Sequence, residues 1–73
     1  MEMNLTHMKI QLNGNPHMIE APMSLTELLA SIGVAGKPVV VELDGEAVFP
    51  REYPDKRVGD GARVEIVTLA AGG

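Results

Sequence analysis

Apolar and polar residues alternate over Met8-Lys9-Ile10-Gln11-Leu12, the period of a strand with one buried face. Asn13-Gly14 follows, a pair that tolerates positive φ and marks a hairpin, although Asn15-Pro16 lengthens the loop. His17-Met18-Ile19-Glu20-Ala21 predicts the return strand, and Pro22 ends it because proline cannot donate to a ladder. The period then changes. Leu25, Leu28, Leu29 and Ile32 fall on one helical face, after Ser24-Leu25-Thr26-Glu27, which matches a capping box. Gly33 is a natural stop. A helix of about nine residues is too short to stand alone in water, so it must pack on a sheet.

Val39-Val40-Val41-Glu42-Leu43 returns to strand period, with Val39, Val41 and Leu43 on one face and Val40 and Glu42 on the other. Asp44-Gly45 is a second hairpin signal into Glu46-Ala47-Val48-Phe49, which Pro50 closes. Residues 50–61 read as a connector, and Arg63–Leu69 reads as the last strand, with Val64 and Ile66 facing the core. The order ββ-α-β-β-β predicts an α+β fold with a mixed sheet of four to five strands and one helix across one face. Placing the last strand parallel to the first, in the sheet centre, gives the β-grasp, or ubiquitin-like, architecture. Residues 8–69 form that domain, 70–73 a flexible C-terminal tail. Residues 1–7 form an extension, either disordered or the start of a further strand.

Composition narrows the function. A chain of 73 residues with 45% hydrophobic content makes one small domain. Cysteine is absent, which removes disulfides and any thiolate nucleophile and fits a reducing, cytoplasmic location. No apolar run approaches a membrane span, and the N-terminus lacks a signal-peptide pattern. Ten acidic and six basic residues give a net charge of −4, with only Phe49 and Tyr53 as aromatics. Nucleic acid would be repelled; a basic patch on a partner protein would be attracted.

Side-chain chemistry is sparse. His7 and His17 are a poor metal set without cysteine, and Glu20, Glu27, Glu42 and Glu65 lie on different elements. Gly33-Val34-Ala35-Gly36 lacks the Lys-Ser/Thr of a phosphate loop. The five methionines read as core filling and chain start, and Arg51-Glu52 as a solvated loop pair. The chain ends in Gly72-Gly73. With glycine near 7% of residues, roughly one chain in two hundred ends so by chance.

The ordered set Met8–Gly14, Leu28-Leu29, Val41–Glu46, Pro50–Tyr53, Asp60-Gly61, Val64–Val67 and Gly72-Gly73 resembles the ThiS family of sulfur carriers of thiamin biosynthesis. The likeness spans residues 8–73. The chain departs from the family where residues 1–7 precede its usual start and where Pro54 follows Tyr53 in place of alanine. The resemblance implies that the Gly73 carboxylate is adenylated by an E1-like (ThiF-like) enzyme. A persulfide donor then converts it to a thiocarboxylate, which gives sulfur to thiazole synthase (ThiG-like). ATP and Mg²⁺ would belong to the adenylating partner, and this chain would bind no cofactor and act as a protein cosubstrate.

Gly72, Ala71 and Ala70 would give the tail a thin profile for a narrow channel, since glycine has no Cβ. Val40, Val67 and Leu69, on the sheet face away from the helix, are the candidate partner surface. Scattered surface apolar residues of no special role are the competing reading. Two alternatives stay open: a molybdopterin-synthase small subunit or another Gly-Gly carrier, and a β-grasp module that binds partners without covalent chemistry. Ubiquitin-like conjugation is disfavoured for want of a linkage context.

Overall fold

A computed structural model of the chain describes residues 8–69. The calls on residues 1–7 and on Ala70, Ala71, Gly72 and Gly73 lie outside the described residues. Strands β1 (Met8–Leu12), β2 (Asn15–Ile19), β4 (Val39–Leu43), β5 (Glu46–Val48) and β7 (Arg63–Thr68) form one mixed sheet. Its order is β2-β1-β7-β4-β5, with β7 parallel to β1 and antiparallel to β4. The last strand therefore lies in the centre, as the β-grasp reading requires. Helix α1 (Leu25–Ser31) buries Leu25, Leu28 and Leu29 against one face of the sheet.

Local chemistry fixes these elements. Ser24 Oγ accepts from the Glu27 amide at 3.1 Å while Glu27 Oε1 accepts from the Ser24 amide at 2.9 Å, completing the capping box. Gly33 takes φ +84°, a left-handed conformation that stops the helix. Both hairpins turn in two residues, with φ of 51° and 83° at Asn13-Gly14 and 52° and 87° at Asp44-Gly45.

Four details depart from the sequence reading. The second strand starts at Asn15, two residues early, because Asn13-Gly14 closes the turn alone and Leu12 pairs directly with Asn15. Pro16 is tolerated on this edge strand, at the pair next to the closing one, where its nitrogen faces away from β1. The region read as a connector is partly ordered: a 3₁₀-helix spans Pro50–Asp55, and β6 (Arg57–Val58) pairs with β3 (Met23–Ser24) in a second, two-stranded sheet. Val58 is thereby fully buried. Met18 is 54% exposed rather than core filling, because it stands opposite Lys9 on the face away from the helix.

Candidate functional site

Alternation in a strand sends successive side chains to opposite faces, so register decides what the outer face of the sheet displays. In β4 and β7, Val41 pairs with Ile66 on the helix side, and Val40 pairs with Val67 on the other. Leu69 follows Val67 with the same parity. All three predicted surface residues thus share one face, at 46% exposure for Val40, 59% for Val67 and 51% for Leu69. Sequence reasoning missed Phe49. The β4–β5 register aligns Val41 with Val48, and one further step sets Phe49 beside Val40. Phe49 is 55% exposed, and the Arg51 guanidinium lies 5.4 Å from its ring centroid. The signal was available: the two-residue turn at Asp44-Gly45 fixes that register.

The same face carries an acidic pair. Glu42 and Glu65 stand directly opposite each other, both exposed, one step from Val40 and Val67. Like charges in that position destabilise a sheet. By strand parity Arg63 and Lys9 share this face, so the patch combines apolar area with charges of both signs around the opposed Glu42–Glu65 pair.

β7 is held firmly up to the tail. Beyond the end of β1, the Asn13 side chain takes over the ladder: its Nδ2 donates to Ile66 O at 3.0 Å, and its Oδ1 accepts from the Ile66 amide at 2.6 Å. On the other side the Asp44 and Arg63 backbones bond at 2.7 Å, and the Arg63 amide donates to Asp44 Oδ1 at 2.9 Å. The Leu69 amide donates to Pro38 O at 2.9 Å. The base of the tail is fixed on a central strand, next to the apolar patch.

On the helix side, near the same exit, a cavity of about 120 Å³ is lined by Leu29, Val34, Gly36, Lys37, Val39 and Tyr53. A more open depression beside it is lined by Pro38 and Pro50 and shares Gly36, Lys37, Val39 and Tyr53. Tyr53 Oη is buried and has no hydrogen-bond partner among the described residues. Burial pushes the phenol above its ordinary value of 10.0. A larger groove of about 610 Å³ between β2 and α1 gathers His17, Glu20 and Glu27, but Glu27 is spent on the helix cap. Among the described residues no three His, Asp or Glu side chains converge as a metal site. No described helix is long and apolar enough to cross a membrane.

Comparison with known proteins agrees with this arrangement. The sequence profile of the ThiS family matches residues 10–73. The chain is 42% identical over 64 residues to the sulfur carrier protein ThiS of Thermus thermophilus, covering 88% of this chain and 98% of that one. It is 36% identical over 66 residues to a thiazole synthase of Paramagnetospirillum magneticum, of which it spans only 20%. The crystal structure of a thiamine biosynthesis protein (ThiS) from Geobacter metallireducens superposes with a TM-score of 0.79 at 33% identity, covering 90% of this chain and all (100%) of that one. With a β-grasp sheet and a family match running through Gly73, this chain belongs to the ThiS family.

Proposed function

We propose that the chain is a sulfur carrier protein of thiamin biosynthesis, a cosubstrate and not a catalyst, working in the cytoplasm. The observation that carries this reading is the family match, which runs from residue 10 through the terminal Gly72-Gly73. A carboxylate resists sulfur nucleophiles until it has a good leaving group. In an adenylating partner that holds ATP and Mg²⁺, the Gly73 carboxylate attacks the α-phosphorus and pyrophosphate leaves. The terminal sulfur of a donor persulfide then displaces AMP. A thiol cleaves the S–S bond of the resulting acyl disulfide, leaving the thiocarboxylate on Gly73 and a disulfide on the donor side. Gly72, Ala71 and Ala70 allow close approach because nothing larger than a methyl group projects from them.

Docking falls to the outer face. Phe49, Val40, Val67 and Leu69 supply apolar area, and Glu42 with Glu65 favours a basic partner surface. The acceptor is thiazole synthase. In Paramagnetospirillum magneticum a protein of that name contains a stretch similar to almost this whole chain, at 90% coverage, within a polypeptide about five times as long. Two functions carried on one polypeptide favour a physical partnership when they are carried on two. The test is intact mass after incubation with a cognate adenylating enzyme, ATP and a sulfur source. One oxygen exchanged for sulfur is expected, and deleting Gly73 abolishes it. An unchanged mass under conditions that load a known carrier overturns the assignment.

A further inference from the structure

Strand β2 forms one margin of the five-stranded sheet, and among the described residues it pairs with β1 alone. Bonded and non-bonded pairs alternate along an antiparallel ladder, and the two-residue turn makes Leu12–Asn15 a bonded pair. Ile10–His17 and Met8–Ile19 are then bonded too, whereas Gln11–Pro16 and Lys9–Met18 are not. The Met18 amide and carbonyl and the Pro16 carbonyl therefore point outward, away from β1. Such an edge is a template for one more strand. Pro16 blunts it by withholding a donor, while Met18 keeps both groups.

Beside this edge runs the groove of about 610 Å³ between β2 and α1. Ile19, Pro22 and Met23 give it apolar lining, and its charged carboxylates are Glu20 and Glu27. The helix cap uses Glu27 Oε1 but leaves the charge in place. One cation borders the groove, Arg57, whose guanidinium donates to Pro22 O at 3.3 Å. The lining is therefore apolar with a net acidic rim.

We propose that this edge and groove bind an extended, basic segment of a partner protein, which adds to β2 as a sixth, antiparallel strand. About five or six residues suffice, the common length of a strand. Its backbone meets Met18 and the Pro16 carbonyl, its apolar side chains alternate into the groove, and a Lys or Arg meets Glu20 and Glu27. A second copy of this chain fits the edge less well. Two-fold pairing through Met18 would set each Pro16 opposite a Glu20, so an amide would be missing twice. Each copy also carries a net charge of −4. The site stands apart from the outer face: β1 separates β2 from β7, and β4 and β5 lie beyond. A segment bound there leaves Phe49, Val40 and Val67 uncovered, so one partner can hold the chain by its margin while another engages the sheet. The inference does not rest on the sulfur-carrier reading.

The test is an NMR titration of the isotope-labelled full chain with the blocked peptide acetyl-Lys-Thr-Val-Thr-Val-Thr-amide, which places lysine and both valines on one side of a strand. Resonances of Met18, Ile19 and Ser31 should shift while those of Ala47 and Val67 stay, and saturating peptide should slow exchange of the Met18 amide about fivefold. Glutamate in place of the peptide lysine should weaken binding about fivefold, as expected for an exposed ion pair. Glu20→Lys should do the same to the lysine peptide and restore the glutamate peptide. Met18→Pro removes the outward amide without touching the β1 ladder and should abolish binding; Glu20→Lys lies on an exposed bend and keeps the test open if that variant fails to fold. No shift at millimolar peptide, shifts at Ala47 or Val67 instead, or an unprotected Met18 amide overturns strand addition at β2. Equal binding of the lysine and glutamate peptides overturns the basic partner. Met18 shifts that grow with protein concentration alone would assign the edge to a second copy and overturn the proposal.

Discussion

On the helix side of β4 and β7, Val41, Val64 and Ile66 are 0%, 0% and 9% exposed; on the opposite side Val40, Val67 and Leu69 are 46%, 59% and 51% exposed. The residue types are nearly the same and the backbone is shared. What differs is parity along the strand. The inner set packs with Ile10, Leu25 and Leu28 and stabilises the fold. Among the described residues no helix covers the outer set, which sits beside a pair of opposed glutamates that costs stability. A sheet selected for stability alone would not place Glu42 against Glu65 and leave three adjacent strands capped by Phe49, Val40 and Val67. The inner face serves folding, and recognition on the outer face is the proposal that the following substitutions test.

Substitutions confined to one face break this comparison if both properties respond. Leu28→Ala empties a fully buried site and should lower stability by about 2–5 kcal/mol, measured by denaturant unfolding. Sulfur loading per folded molecule should not change; a parallel loss of loading would mean that the inner face also recognises partners. Asn13→Gly keeps a residue that accepts the observed φ of 51° while deleting both side-chain bonds to Ile66. It should cost roughly 1–3 kcal/mol and speed hydrogen exchange at Ile66 more than at Val41. Equal exchange at the two sites would show that the side chain does not clamp β7. The smallest effect is the most discriminating. Glu42→Lys replaces a like-charged pair by an opposite one and should raise stability by about 0.2–1 kcal/mol while slowing loading, a slowing that added salt reduces. Faster loading would reverse the sign assigned to the partner surface.

Much of this was legible in the sequence, for physical reasons. Strong periods marked β1, α1, β4 and β7, and the capping residues Ser24 and Glu27 set where the helix begins. Burial of Val64 and Ile66 followed from alternation once the last strand was placed in the centre. Val58 was missed because a two-residue strand is too short to show a period, and its pairing with Met23 is a tertiary event. The start of β2 was missed because Pro16 reads as a loop residue until the edge position of that strand is known. Of the site, Val40, Val67 and Leu69 were readable from parity, whereas Phe49 needed the register across a turn. The Tyr53 cavity arises where the 3₁₀-helix, α1 and β4 meet, and no local pattern announces it.

The claim that recognition resides on the outer face is tested most directly with Val40→Thr/Val67→Thr, which keeps branched, strand-favouring side chains and removes apolar surface. Its loading by the adenylating partner should be followed as an intact-mass time course beside the parent chain. The account predicts unfolding stability within about 0.5 kcal/mol of the parent, with kcat/KM for loading reduced at least about tenfold, the equivalent of ~1.4 kcal/mol of lost contact. Loading at the parental rate by this folded variant would contradict it.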